Sequence, residues 1–211
     1  MNTDKSGKTP VKVPAKVALR GELLAARALL AKEDVARAAT VLAATALGLP
    51  ELADARTVAA YVSVGREPGT RVLLDALREK GVRVLLPVLL ADNDLDWAVY
   101  GGGERLTPAG RGLLEPDGPR LGPAAVLDAD AVLLPGLAVD GAGMRLGRGG
   151  GSYDRVLARL SAPGARPGRP VHPALIVLLY ENEVVARVPS EPHDHPVDAV
   201  VTPAGARRFT A

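Results

Sequence analysis

The sequence contains no cysteine, which excludes disulfide bonds and metal sites built from thiolates. Aromatic residues make up only 3% of its 211 residues, so leucine, valine and alanine must build the core. The net charge is only +2, and no basic run is interleaved with aromatic residues, the pattern typical of nucleic-acid binding. No apolar run approaches the roughly 18 residues that a membrane-spanning helix needs. We therefore expect a globular protein that binds neither nucleic acid nor a membrane.

The first residues differ in composition from the rest of the chain. Residues 1–14 are rich in lysine, proline and threonine, and they lack the apolar stretch of a signal peptide. We therefore expect a disordered tail over residues 1–14 and a single α/β domain over residues 15–211. The absence of cysteine fits a reducing compartment, and we expect a cytoplasmic protein.

Helix-forming and strand-forming segments alternate along the chain after this tail. Residues 16–32 and 34–47 are rich in alanine, leucine and arginine, which favour helices. Residues 57–64 and 82–88 are β-type runs, and the segment 69–81 between them has a helical composition and ends at a glycine. This order forms a βαβ unit, which predicts two parallel strands joined by a right-handed crossover.

The second half of the chain contains further candidates for strands. They are residues 94–100, 129–140, 172–180, 183–189 and 198–203. Residues 101–122 are rich in glycine and proline, and we expect them to be mostly loop. Together these segments predict a single open three-layer α/β/α domain with a mostly parallel central sheet.

The most unusual stretch is "MRLGRGGGSYDRVLARL", residues 144–160. Arg145 and Arg148 precede a run of glycines, and an amphipathic helical run follows. Ligands bind at the carboxyl ends of strands in open α/β sheets, and this stretch follows a predicted strand. Glycines let backbone amides approach a ligand, and a helix N-terminus favours an anion. The pattern indicates a phosphate site, and a long flexible turn is the alternative.

Two known nucleotide-binding loops fit this stretch poorly. A Walker loop ends in Gly-Lys-Ser/Thr, which this sequence lacks. A dinucleotide fingerprint that starts at Gly147 would need a glycine where Ser152 stands. It would also need a tight turn from strand to helix, whereas about ten residues intervene here. The stretch therefore indicates phosphate binding without matching either loop.

Asp154 follows the glycines directly. An acid in the first turn of a helix complements the helix dipole, with Ser152 as a candidate N-cap. An acid beside a phosphate site would repel the phosphate unless a cation lay between them. Mg²⁺ held by one or two carboxylates and by phosphate oxygens resolves this conflict. Asp154 is therefore either a helix-start acid or a magnesium ligand.

The stretch "LLPGLAVDGAGMRLGRGGGSYDRVLARL" resembles the signature of the 5-formyltetrahydrofolate cyclo-ligase family, approximately P-G-L-A-F-D-x-x-G-x-R-L-G-x-G-G-G-Y-Y-D-R. The segments "KVALR", "YVSVGREPGT", "LLEP" and "VPSEPHDHPVDAVVTP" also resemble the family, and they occur in its order. The resemblance implies an α/β sheet with helices on both sides. It also implies ATP- and Mg²⁺-dependent ring closure of 5-formyltetrahydrofolate to 5,10-methenyltetrahydrofolate, with release of ADP and phosphate. We expect a monomer that acts on these small-molecule substrates.

The resemblance also implies roles for individual residues. The ATP contacts would be Lys16, Arg20, Arg145, Leu146, Gly147, Arg148, Gly149, Gly150, Gly151, Ser152 and Tyr153. Among these, the catalytic residues would be Arg145, Arg148 and Tyr153. The folate substrate would contact Val62 and Glu67, and Mg²⁺ would bind Asp154 and Asp194.

Each of the more distant assignments has a simpler alternative. Lys16 and Arg20 share a helix face at this spacing, and two such cations are commonly just solvated. Glu67 could be a loop acid at the start of a helix, and Asp194 a turn acid. Val62 could be an ordinary core residue of a strand.

The sequence departs from the family pattern at two positions. Ser152 stands where the family usually has an aromatic residue, and Val139 stands where it usually has phenylalanine. Either change could weaken stacking against a ligand ring. A non-catalytic folate-binding or regulatory protein on the same scaffold is the main alternative function, and an enzyme acting on a sugar phosphate is another.

Overall fold

The computed structural model describes residues 15–166, 172–191 and 194–209. Its α-helices are α1 (Ala15–Ala28), α2 (Lys32–Leu47), α3 (Pro50–Ala53), α4 (Arg71–Glu79) and α5 (Ser152–Ser161). The strands of the main sheet are β1 (Thr57–Ala59), β2 (Arg83–Leu89), β3 (Leu95–Val99), β6 (Ala131–Pro135), β9 (Ala174–Leu178), β10 (Ala199–Thr202) and β11 (Gly205–Arg208). Two small hairpins lie outside it, formed by β4 (Leu106–Pro108) with β5 (Leu114–Pro116) and by β7 (Ala138–Val139) with β8 (Arg145–Leu146).

The main sheet has the strand order β11-β10-β9-β6-β1-β2-β3. The strands from β10 to β2 in this order pair in parallel, whereas β11 and β3 close the two edges as antiparallel strands. The predicted βαβ unit corresponds to β1, α4 and β2. The prediction of a mostly parallel central sheet is confirmed.

Both faces of the sheet are covered by helices. Successive residues of a strand point to opposite faces, and β6 shows this directly. Leu133 packs in one cluster with Leu42 of α2 and Leu74 of α4, whereas Leu134 packs in a second cluster with Val156 of α5. The predicted three-layer α/β/α architecture is therefore confirmed. No helix in the described part of the chain has the length and apolar character needed to cross a membrane.

Helix α1 lies outside these layers and packs on the β7–β8 hairpin. Leu23 of α1 shares a cluster with Leu137 and Leu146. Arg27, which is buried, donates from its Nε to Glu183 Oε1 at 2.6 Å and from an Nη to the Gly136 carbonyl at 2.7 Å. The ion pair ties α1 to the turn that follows β9, and the hydrogen bond to Gly136 ties α1 to the segment that follows β6.

The prediction of a strand over residues 183–189 is wrong. A 3-10 turn occupies Glu181–Glu183, and the chain after it is irregular apart from a single bridge between Val184 and Val139. The Glu183 carboxylate is buried against Arg27 and accepts a hydrogen bond from the Tyr180 backbone amide. These contacts hold the segment in a turn instead of a strand.

Other boundaries also differ from the sequence-based expectations. Residues 101–122 contain the β4–β5 hairpin, which sequence reasoning assigned to loop. The edge strand β11 was not expected, and the run at 57–64 forms a strand only over β1. The predicted disordered tail at 1–14 lies outside the described residues, and the domain limits of 15–211 stay a prediction.

Candidate active site

A cavity of about 500 Å³ opens where β1, β2 and β6 reach their carboxyl ends. This is the edge at which ligands bind in open α/β sheets. Residues that follow β1 line one part of it, and the glycine segment 147–151 with the start of α5 lines another. An apolar wall completes it, formed by Pro87, Leu89, Leu95, Leu113 and Leu114. The cavity therefore combines a polar, glycine-rich side with an apolar one.

The glycine segment needs glycine at defined positions. Gly149 and Gly151 have φ values of +91° and +76°, in the region that residues with a side chain rarely adopt. A Cβ at Gly149 would also lie 3.3 Å from the guanidinium carbon of Arg20. Gly151 is the N-cap of α5, and Ser152 is its first helical residue, so the idea that Ser152 caps this helix is wrong. The helix thus begins at the cavity with glycine at its cap.

Arg145 is a buried cation at the cavity wall. Its side chain is 5% exposed, and its Nη atoms donate to the Pro135 carbonyl at 3.2 Å and to Asp154 Oδ1 at 2.9 Å. Its Nε is buried and has no hydrogen-bond partner within the described residues. Burial lowers the pKa of Arg145, whereas the charges of Asp154 and Asp194 raise it. An arginine stays charged in proteins, so the wall carries a fixed positive charge with an unused donor.

Arg148 and Glu67 form an ion pair across the cavity. The Nε of Arg148 lies 3.1 Å from Glu67 Oε1, and the Glu67 side chain is 9% exposed whereas that of Arg148 is 52% exposed. The other carboxylate oxygen of Glu67 accepts the Val64 amide at 2.8 Å, which fixes it in the turn after β1. The structure therefore joins a predicted ATP residue to a predicted folate residue. Val62 also lines the cavity, although most of its surface is packed in the core.

Tyr153 places a hydroxyl in the cavity wall between these charges. The hydroxyl oxygen is buried and has no hydrogen-bond partner in the part of the chain that the structure describes. Burial, and then the negative charge of Glu67, raise the pKa of Tyr153, while the positive charge of Arg145 lowers it. The net effect is a neutral hydroxyl with a proton to donate.

The predicted residues on α1 approach the glycine segment from outside the cavity lining. Arg20 donates from its Nε to the Gly147 carbonyl at 2.8 Å. Lys16 pairs with Asp194 at 2.8 Å and with Glu191 at 3.3 Å, and the hydrogen bond to Asp194 raises the pKa of Lys16. The Leu146 side chain is buried against α1, which leaves only its backbone for a ligand. The remaining predicted residues from Arg145 to Tyr153 line the cavity directly.

The acids at the site suit a metal that takes most of its ligands from a phosphate. Asp154 lies in the first turn of α5, is 51% exposed, and lines the cavity. Asp194 also acts electrostatically on Arg145, so both predicted metal ligands influence one cation. No group of three or more metal-binding side chains occurs in the described ranges. Mg²⁺ needs only one or two carboxylates when phosphate oxygens supply other ligands, and Asp154 fits that requirement.

Comparison with known proteins identifies the family of this chain. The model of the 5-formyltetrahydrofolate cyclo-ligase family matches residues 12–203. The chain belongs to this family. The 5-formyltetrahydrofolate cyclo-ligase of Mycolicibacterium smegmatis is 44% identical over 155 residues, which cover 70% of this chain and 74% of that protein. The Escherichia coli K12 protein of the same name is 32% identical over 160 residues, covering 74% and 82% of the two chains.

A solved structure of the family supports the same conclusion. The NMR structure of Aquifex aeolicus 5,10-methenyltetrahydrofolate synthetase superposes with a TM-score of 0.76 at 28% identity, covering 93% of each chain. The resemblance noted from the sequence and the predicted fold class are thus confirmed, and so is the assignment to an enzyme family of cyclo-ligases.

Sequence reasoning missed the contribution of the segment 101–122 to the cavity. Arg111, Leu113, Leu114 and Glu115 of this segment line it. The "LLEP" at residues 113–116 resembled the family but received no role. The adjacent leucines within a glycine-rich stretch were the available signal, because solvated loops seldom carry paired large apolar residues.

Proposed function

We propose that this chain uses ATP to close 5-formyltetrahydrofolate to 5,10-methenyltetrahydrofolate, with release of ADP and phosphate. One observation carries the proposal: a single cavity is lined by groups suited to phosphate and by groups suited to a pterin. The phosphate groups are Arg145, Arg148 and the glycine segment, and the pterin groups are Glu67 and Val62. A reaction between ATP and a folate needs both kinds of group around one space.

The triphosphate would lie along the glycine segment. Its backbone amides and the N-terminus of α5 suit an anion, and Arg145 adds a fixed positive charge to the cavity wall beside them. Arg20 holds the Gly147 carbonyl and therefore keeps the segment in place. Lys16 lies on the same helix and adds a further cation.

The folate substrate would bind through Glu67. A carboxylate accepts two N–H donors from the edge of a pterin ring, and Val62 adds an apolar contact. Glu67 already pairs with Arg148, so a bound pterin would compete for the carboxylate. Arg148 is half-exposed and long enough to turn to the triphosphate once released. Folate binding would thus prepare a cation for the phosphoryl transfer.

The reaction needs to turn the formyl oxygen into a leaving group. That oxygen attacks the γ-phosphorus of ATP, the bond from the γ-phosphorus to the bridging oxygen breaks, and ADP leaves. The N10 nitrogen of the folate then attacks the formyl carbon and loses its proton, and the phosphorylated oxygen departs as phosphate. Arg145 and Arg148 neutralise the transferring phosphoryl group, and the Tyr153 hydroxyl donates a hydrogen bond to its oxygens.

Asp154, with Asp194 as the second carboxylate, would hold Mg²⁺. When bound, the ion would neutralise charge on the triphosphate, which is its usual role with nucleotides. The carboxylate of Asp154 lies at the cavity and is half-exposed, in agreement with this role. All the groups named here belong to one chain, so we also propose that the protein acts as a monomer. We propose that it works in the cytoplasm, as the absence of cysteine led us to expect.

An absorbance assay tests the proposed function. The purified protein is mixed with 5-formyltetrahydrofolate, ATP and Mg²⁺, because methenyltetrahydrofolate absorbs in the near ultraviolet where the substrate does not. We expect a rise that requires both ATP and Mg²⁺. A protein that binds the folate without any rise would instead be the non-catalytic folate-binding alternative. Size-exclusion chromatography with light scattering then tests whether the protein is a monomer, from its molar mass in solution.

A further inference from the structure

Arg111 is held at the cavity by an unusual backbone conformation. It lies in the turn of the β4–β5 hairpin with φ +61° and ψ +22°, and it lines the cavity. Its guanidinium donates to Asn93 Oδ1 at 3.0 Å, and Asn93 itself has φ +65° in the turn between β2 and β3. These are the two residues other than glycine with positive φ in the described chain. Such conformations cluster at functional sites, where surrounding structure maintains them.

Arg111 differs from the other two cations at the cavity in the group that its guanidinium contacts. Arg145 pairs with Asp154 and Arg148 pairs with Glu67, whereas the contact of Arg111 is a neutral amide oxygen. The neighbouring carboxylate Glu115 accepts the Leu89 amide and faces Arg120, so both of its oxygens have other contacts. Arg111 therefore presents to the cavity a positive charge that pairs with no carboxylate among the described residues. A cation in this state suits an anionic part of a ligand.

The apolar wall adjoins Arg111 along the chain. Leu113 and Leu114 follow it in the hairpin, and Leu89 and Leu95 come from the strands β2 and β3 beside it. This surface suits a flat apolar ring. Glu67, which suits the pterin edge, belongs to the loop after β1. The lining thus offers acceptors for ring N–H groups, an apolar surface, and a cation.

We propose that Arg111 binds the glutamate carboxylates of the folate substrate, an inference that rests on the proposed function. A folate carries a pterin, a benzoyl ring and a glutamate in that order. The pterin at Glu67 and the benzoyl ring on the leucine wall would bring the carboxylates to Arg111. A guanidinium recognises a carboxylate through two parallel hydrogen bonds, so this residue would favour substrates that carry glutamate.

The test compares 5-formyltetrahydrofolate with the amide of 5-formyltetrahydropteroic acid, in which a neutral carboxamide replaces the glutamate. Dissociation constants for both compounds are measured by isothermal titration calorimetry without ATP, and turnover is measured separately. The variant is Arg111→Asn, because asparagine tolerates the left-handed backbone and removes the charge. The matched control is Arg105→Asn, an exposed arginine of the same segment that pairs with Asp117 outside the cavity lining.

We expect the wild type to prefer the glutamate compound by about tenfold, the size of one charge-assisted hydrogen bond. Arg111→Asn should erase this preference, Arg111→Lys should restore part of it, and Arg105→Asn should retain it. A wild type that binds both compounds equally, or an Arg111→Asn variant that keeps the preference, would overturn the inference. Binding without turnover in the wild type would overturn the proposed function alone, since the binding comparison still tests Arg111.

Discussion

Tyr153→Phe should raise the stability of the fold and at the same time slow the reaction. The substitution removes a hydroxyl whose oxygen is buried and has no hydrogen-bond partner in the described part of the chain. The ring itself packs against both core clusters and remains in place. A residue that served only the fold would give the opposite sign for stability. The sign of the change in stability therefore separates a structural role of Tyr153 from a role in the reaction.

The expected magnitudes follow from the burial of this hydroxyl. A buried polar group without a partner costs about 1–3 kcal/mol, and we expect a gain near the lower end, about 1 kcal/mol. For a domain of this size that gain raises Tm by about 2–4 °C. In the reaction, the loss of one hydrogen bond to a charged group costs about 1.5–3 kcal/mol. That loss corresponds to a kcat that is lower by about 10- to 150-fold.

Thermal unfolding and the absorbance assay measure the two effects on the same protein sample. Tyr100→Phe is the matched control, because the Tyr100 hydroxyl donates to Asp75 at 2.6 Å and lies outside the cavity lining. The control should lose about 1 kcal/mol of stability and keep its turnover. A Tyr153→Phe variant that unfolds below the wild-type temperature, or that keeps kcat within about twofold, would refute the reasoning.

Three further substitutions test other parts of the site and fold. Asp154→Asn should lose most ATP turnover while calorimetry still detects folate binding; near-normal turnover at ordinary Mg²⁺ would contradict the metal assignment. Gly149→Ala should weaken ATP binding, because positive φ costs alanine about 1–2 kcal/mol. The control Gly21→Ala, at a position of α1 with open space, no positive φ and no place in the cavity lining, should bind ATP nearly as the wild type does. Arg27→Met should lower the free energy of unfolding by about 3–5 kcal/mol by leaving Glu183 buried without its cation, and urea unfolding would show this. Adding Glu183→Leu to Arg27→Met should recover part of that loss, and a double variant no more stable than the single one would argue against the buried charge as its cause.

The parallel sheet could be predicted because its strands are buried on both faces. Such strands appear as continuous apolar runs, as in "AVLLP" of β6, and the glycine that ends α4 marks the crossover to β2. The part of the cavity around the glycine segment was also predictable, since many of its residues are close in sequence as well as in space. Arg145 and Asp154, nine positions apart, are joined by a hydrogen bond in the structure.

The contacts that sequence reasoning missed join residues far apart in the chain. Glu183 belongs to an apolar run that is typical of a strand, but its buried pairing with Arg27, 156 positions away, fixes a turn there instead. The hairpin around Arg111 is short, and β4 and β5 have only three residues each. Local propensity gives little signal for strands of this length, and packing on β2 determines where the hairpin lies.

The charge pairs at the site suggest how the substrates assemble it. Lys16 pairs with Asp194, Arg145 with Asp154, and Arg148 with Glu67. Each pair joins a cation proposed for the triphosphate to an acid proposed for another ligand, either a metal or a pterin. Cations gathered around one cavity would repel each other, and the acids offset this before a ligand arrives. When the triphosphate takes the cations, the acids are released for the metal and the pterin. Binding of one substrate should therefore strengthen binding of the other, and by linkage the strengthening must be equal in both directions.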